Sequence, residues 1–207
     1  MNDIASAQTE RVYVFIDGSN LYKGMQLHIG PGPFPPQSIN KLAQHLCGQR
    51  RLVKIMYYNS PLNRNDAAYR AQQQFFDGLR KISYLELKFG HLKKRTVKMY
   101  CATCKGMFED AICRKCSNPL PLVKYTDKGT DVHIAIDLLL HAFDNQYDTA
   151  ILISEDGDFV SAVQEVKRLK KKVENVFFRK RHLAEVADNF ILLDAPLINS
   201  LRPGQRP

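Results

Sequence analysis

The chain has 207 residues, 44% hydrophobic and 25% charged, enough for one well-buried core with a small appendage but short for two full domains. Its 30 Lys and Arg against 21 Asp and Glu leave a formal charge of +9, which favours a polyanionic partner, and no apolar run approaches the roughly 20 residues of a membrane span. The start, MNDIASAQTERV, lacks the basic leader and apolar stretch of a secretory signal, so a cytoplasmic protein without membrane contact is expected.

Along the chain, RVYVFI at 11–16 is a short apolar run rich in β-branched and aromatic residues, a buried strand that ends in the turn Asp17-Gly18. Leu21 to Ile29 suits a short helix, and the prolines and glycines of 30–36 force a loop. A helix is expected over Gln37 to Cys47, a strand over Leu52 to Tyr58, and a helix over Asn65 to Ile82, where Ala68, Ala71, Phe75, Leu79 and Ile82 recur at helical spacing. A third strand is expected near Tyr84 to Phe89, followed by a cysteine-bearing segment and a long helix over Gly129 to Phe143. Thr149 to Ser154 and Val173 to Phe178 suit buried strands, separated by a helix over Phe159 to Leu169. A short helix at His182 to Ala187 and a strand at Phe190 to Leu193 close the series. Strands alternating with helices predict right-handed crossovers and an α/β fold with a mostly parallel sheet covered on both faces. The domain is expected over 11–195 with a lobe at 98–120 inserted, and 1–10 and 203–207 as flexible tails.

Two apolar strands run directly into acidic turns, VFI-Asp17 and ILIS-Glu155-Asp156-Gly157-Asp158. In open α/β sheets the carboxyl ends of strands build the ligand site, so Asp17, Asp156 and Asp158 are expected at one sheet edge. On a helical wheel over 129–143, Ala135, Leu138, Leu139, Ala142 and Phe143 form the expected buried arc. Asp131 falls inside that arc, whereas His133, Asp137 and His141 line the polar side. Each acid alone has a bland reading as a helix cap or a charge complementing a helix dipole. Together they repel unless a cation neutralises them, and oxygen ligands suit Mg²⁺ or Mn²⁺. Such a site can hydrolyse phosphodiesters, with Lys128, nearest in sequence to Asp131, as a phosphate clamp. Basic clusters at Lys93-Lys94-Arg95, at Lys167 to Lys172 and at Arg179-Lys180-Arg181 point to nucleic acid as the partner. A haloacid-dehalogenase-like phosphatase needs an acid where Ser19 stands, and a dinucleotide site needs glycines that Asp17-Gly18-Ser19-Asn20 lacks.

The segments FIDGSNLY (15–22), KGTDVHIAIDLL (128–139) and ISEDGDF (153–159), in that order, closely resemble the NYN domain family, the LabA-like members of the PIN-like nuclease group. The resemblance runs from about Val12 to Asp194. It implies a PIN-like three-layer α/β/α sandwich and a metal-dependent ribonuclease acting on RNA, with Asp17, Asp131, Asp156 and Asp158 as catalytic metal ligands. It also implies Asn20 as a polar helper beside the first acid, Ser154 as a holder of phosphate or water, and Asp137 as a weaker candidate. Glu155 stands where the family often has glycine, and is expected to face solvent. The family includes members without established nuclease activity, which leaves a non-catalytic RNA-binding or regulatory protein as the alternative. Oligomeric state stays open.

Cys101-x-x-Cys104 and Cys113-x-x-Cys116 lie eight residues apart, the spacing of a closed tetrahedral and structural Zn²⁺ site. Gly106 and Asn118, two residues after each second cysteine, are expected to take the left-handed turns of such knuckles. Flanking Lys98, Lys105, Arg114 and Lys115 offset the thiolate charge and give the inserted zinc-ribbon-like lobe a surface for gripping RNA. Cys47 suits an ordinary core position.

Overall fold

The computed structural model describes residues 9–30, 34–96, 99–100, 102–108, 112, 115–117, 123–179, 182–183 and 185–201. The chain forms β1 (Arg11–Asp17), α1 (Gly18–Ile29), α2 (Pro36–Cys47), β2 (Arg51–Asn59), α3 (Tyr69–Leu79), β3 (Leu85–Phe89) and β4 (His91–Thr96). It continues through β5 (Met99–Tyr100), β6 (Met107–Phe108), β7 (Val123–Lys128), α4 (Thr130–Phe143), β8 (Thr149–Ile153), a 3₁₀ turn (Gly157–Phe159) and α5 (Val160–Arg168). The last elements are β9 (Lys172–Phe177), β10 (Asn189–Leu192) and α6 (Ala195–Ser200).

The main sheet has six strands in the order β10-β9-β8-β1-β2-β3, and every pairing in it is parallel. Parallel strands need covered faces, and β1 shows why its sequence suits the centre. Val12, Val14 and Ile16 pack on one face with Leu21 and Met25 of α1, Leu42 and Leu46 of α2, and Phe76 and Leu79 of α3. Tyr13 and Phe15 pack on the other with Ile134, Leu138 and Ala142 of α4 and Val163 and Val166 of α5. The result is the expected three-layer α/β/α sandwich. Among the described residues no helix is long and apolar enough to cross a membrane.

Several local expectations are corrected. Residues 182–187 form no helix among their described members. Leu183 accepts N–H bonds from Val186 and Ala187, one turn that leads straight into β10. The helix α6 was not foreseen, although Asp194 caps it through the N–H of Leu197 and Pro196 stands in its first turn. α1 begins three residues earlier than expected, because Asp17 serves both as the end of β1 and as the helix cap.

Between β3 and α4 the chain leaves the sheet. β4 and β7 pair antiparallel as a ribbon, His91 opposite Lys128 and Thr96 opposite Val123, and β5 and β6 form a small hairpin beyond it. Cys101 and Cys113 lie outside the described residues, as do Lys98, Arg114 and Asn118, whereas Cys104 and Cys116 are exposed free thiols. Lys105 (φ 59°) and Ser117 (φ 55°), each directly after the second cysteine of its pair, are left-handed. Gly106 is not, so the left-handed turn comes one residue earlier than expected. Cys47 is a buried core residue of α2.

Candidate active site

In the sheet order, β2 and β3 extend from β1 in one direction and β9 and β10 from β8 in the other. The crevice beyond the carboxyl ends of β1 and β8 is therefore the switch point where open α/β sheets bind ligands. Asp17 ends β1 there. One carboxylate oxygen accepts the N–H of Asn20 (3.0 Å) and the other the hydroxyl of Ser154 (3.3 Å). Burial, reinforced by the charges of Asp131 and Asp127 and opposed by those two hydrogen bonds, pushes its carboxyl up to about 6.

Ser154 follows β8 and is fully buried. Its hydroxyl donates to Asp17 and accepts the N–H of Asp156 (3.2 Å), so it ties two acids together. Asn175 of β9 holds the same turn by donating to the carbonyls of Ser154 (2.9 Å) and Leu152 (3.2 Å). Asp156 caps the 3₁₀ turn by accepting the N–H of Asp158 (3.0 Å). Asp158 is exposed. Glu155 does not simply face solvent: its carboxylate accepts the backbone N–H groups of Phe178 (2.9 Å) and Arg179, pinning the end of β9 to the turn after β8.

Asp131 stands in the first turn of α4, on the same side as Ile134, Leu138 and Ala142 but before the helix meets the core. Exposed as a residue, it has a crowded carboxylate: partial burial, then Asp156, Asp127 and Asp158, raise its carboxyl, and Lys128 pulls the other way. Asn20 is half-buried at the start of α1.

Asp127 was not foreseen. It closes the β4–β7 ribbon and accepts the hydroxyls of Ser60 and Thr130, both at 2.7 Å. The signal was the spacing Asp127-Lys-Gly-Thr-Asp131, which sets acids on both sides of a turn whose Gly129 takes φ 89°.

The predicted buried arc of α4 holds at Leu138 and Ala142, which are buried, and at Ala135 and Leu139, which pack half-buried against the same core, but fails at its edges. Phe143 is 76% exposed and Ile134 fully buried, and Asp137, expected on the polar side, is buried. It accepts the hydroxyl of Tyr58 (2.7 Å) and the ammonium of Lys88 (2.8 Å). Apolar side chains at Val132, Ile136, Leu140 and Phe143, all exposed, form a second apolar stripe apart from the packed face, so composition alone does not select that face.

Among the described residues no three His, Cys, Asp or Glu side chains are gathered tightly enough to grip one ion by themselves. The acids are coupled by charge around a crevice that has room between them.

A sequence model described as "NYN domain" matches residues 11–194. Among solved structures, a protein of unknown function from Vibrio parahaemolyticus is similar at 23% identity and a TM-score of 0.57, covering 91% of this chain and 96% of that one. A Sir2 protein with p53 peptide and NAD⁺ is similar at 11% identity and a TM-score of 0.41, covering 93% and 91%. A Sir2-homologue mutant with 2'-O-acetyl ADP ribose is similar at 11% and 0.44, covering 97% and 95%. No curated protein matches the chain.

Proposed function

The chain belongs to the NYN domain family, and on that premise we propose that it is a Mg²⁺- or Mn²⁺-dependent endoribonuclease. The observation that carries the reading is the crowding of Asp17, Asp127, Asp131, Asp156 and Asp158 at the switch point, where burial pushes up both Asp17 and Asp131, the charges of Asp131 and Asp127 add to the first, and those of Asp156, Asp127 and Asp158 add to the second. Uncompensated carboxylates of this kind fit a hard divalent cation. Their loose spacing suits Mg²⁺ or Mn²⁺, because Mg²⁺ usually keeps several waters and takes only one or two protein carboxylates.

Asp17, Asp127, Asp131, Asp156 and Asp158 would hold the ion, one or two of them directly and the others through its waters, and the ion when bound supplies an activated water and neutralises charge on the phosphate. Ser154 and Asn175 fix Asp17 and Asp156 in place. The exposed carboxylates of Asp131 and Asp158 are accessible to take the proton of the attacking water. As the water oxygen bonds to phosphorus, the P–O bond to the leaving ribose oxygen breaks, and that oxygen takes up a proton. Lys128, beside Asp131, adds a positive charge for the phosphate.

The test is cleavage of labelled RNA with Mn²⁺ or Mg²⁺ by the parent and by Asp156→Asn. Cleavage by the parent and a loss of about 10³-fold or more in the variant are expected, the scale on which removal of a central catalytic group acts. Equal cleavage by both would assign the activity to a contaminant and favour a non-catalytic RNA-binding role.

Cys101, Cys104, Cys113 and Cys116 would hold a structural Zn²⁺. The left-handed residues that follow Cys104 and Cys116 support this, because tight turns of that kind bring paired thiolates toward one ion. A thiolate site of this kind implies a reducing compartment, the cytoplasm. Purified protein is expected to carry zinc at one ion per chain and to lose it in Cys104→Ser/Cys116→Ser. Zinc-free parent protein with unchanged stability would remove this proposal.

A further inference from the structure

Beside the acids lies a cleft of about 630 Å³, a volume suited to a group of nucleotide size. One wall is the turn of Asp156 and Gly157, and another is the face of α1 that carries Asn20, Lys23 and Leu27 at one-turn spacing. Arg179 and His182 complete the rim. The cleft is thus walled on one side by a site acid and edged elsewhere by cationic and polar groups, outside the acid cluster itself.

Two features fix that edge. The ring of Phe178 occupies the space a side chain at Gly24 would need, so α1 and the end of β9 approach closely and Lys23 and Arg179 line one cleft. The carboxylate of Glu155 holds the backbone N–H groups of Phe178 and Arg179, which sets the root of the Arg179 side chain next to the turn bearing Asp156. Lys23 and Arg179 are exposed. These cations beside a carboxylate centre have no ion-pair partner among the described residues. A phosphate supplies one, and Arg offers it the planar fork that matches its oxygens.

We propose that this cleft is the subsite for the nucleotide next to the scissile phosphate of a single RNA strand, with Lys23 and Arg179 binding the phosphate on that side. The inference rests on the ribonuclease reading. It makes Lys23 and Arg179 substrate-binding residues and Glu155 a positioning residue that acts through Arg179.

The experiment compares the parent, Lys23→Ala/Arg179→Ala, and Lys23→Arg. Binding of fluorescein-labelled single-stranded RNA is measured across a salt series with Ca²⁺ in place of Mg²⁺, and cleavage kinetics with Mn²⁺. The double variant is expected to bind about 10-fold more weakly, and its slope of log K against log salt to fall by about 0.7, the value for one lost phosphate contact on a single strand. KM should rise with the loss of affinity while kcat changes by less than about threefold, the pattern of a lost uniform binding interaction, and Lys23→Arg should behave as the parent. Lys41→Ala, an exposed cation of α2 outside the basic clusters that does not line the cleft, serves as the control and should leave all four quantities unchanged. If the parent cuts RNA but the double variant keeps its KM and salt slope, the subsite is elsewhere. A fall in kcat at constant KM would also overturn the proposal. A parent that neither binds nor cuts RNA would remove the ribonuclease reading, and this inference with it.

Discussion

Replacing Asp17 by asparagine is expected to abolish RNA cleavage and, in the same molecule, to make the metal-free protein more stable. Both effects come from the same burial. The Asp17 carboxyl, 5% exposed, sits at about 6 when folded against an ordinary value of 3.8. Its ionised form is therefore disfavoured in the native state. A folded value above the unfolded one means that the native protein binds the proton more tightly, so stability is fully present below about 4 and is lost as pH rises through about 6. At pH 7 the difference corresponds to about 3 kcal/mol, at about 1.4 kcal/mol per unit. Asparagine removes that cost and still accepts the N–H of Asn20 as a helix cap. Thermal melts without metal should rise by several degrees, at about 2–4 °C per kcal/mol for a chain of this size. Mn²⁺ should stabilise the parent and do little for the variant, since only the parent keeps the full carboxylate set. A variant less stable than the parent across pH 5 to 8 would contradict this account of Asp17. Asp148 works in the opposite sense. Arg11 holds it at about 2, so its contribution is lost only in stronger acid and does not mask the window above pH 4.

Asp137→Ala is expected to destabilise the protein by about 3 kcal/mol, chiefly through an orphaned partner. The Tyr58 hydroxyl, fully buried, donates to Asp137, and a buried donor left without its acceptor costs about 1–3 kcal/mol. Burial and the adjacent carboxylate both hold the Tyr58 phenol well above its ordinary range, so it cannot escape by ionising. Lys88 is partly exposed and has Glu86 at 3.8 Å as a second partner, so its loss is softened by solvent. Asp137→Asn keeps an oxygen for Tyr58 and should cost only about 1 kcal/mol, the scale of one ordinary hydrogen bond. The folded asparagine variant should cut RNA within about threefold of the parent, because Asp137 anchors α4 to β2 and β3 and does not touch the acid crevice. Chemical denaturation gives the first quantity and initial rates the second. A fully folded Asp137→Asn without activity would return this residue to the site.

The difference between these two acids marks how far the sequence could be read. VFI-Asp17 and ILIS-Glu155-Asp156 announce themselves because a strand buried on both faces is a continuous apolar run, and an acid at its end has no room in the core. Asp131 was legible because Leu138 and Ala142 share its side of α4, whereas Asp137 sits between that side and a second apolar stripe, and only the sheet decides that it is buried. Asp127 escaped notice because its strand belongs to a ribbon of alternating polar residues, Lys93 to Thr96 against Val123 to Thr126, with no apolar period to betray it. Glu155 looked like a surface charge because its partners, the N–H groups of Phe178 and Arg179, are backbone atoms contributed by another strand.

The central position of β1 has a consequence for how the molecule is made. One neighbour, β2, follows closely in the chain, but the other, β8, begins at Thr149. A ribosome adding about 5–20 residues per second needs on the order of 10 s to deliver that second neighbour. During that interval the β8-facing edge of this largely apolar strand stays unpaired, and Asp17 lacks the hydroxyl of Ser154. Nascent chains stalled before residue 149 should therefore be the species most dependent on chaperones, and the catalytic crevice should be among the last parts of the molecule to form.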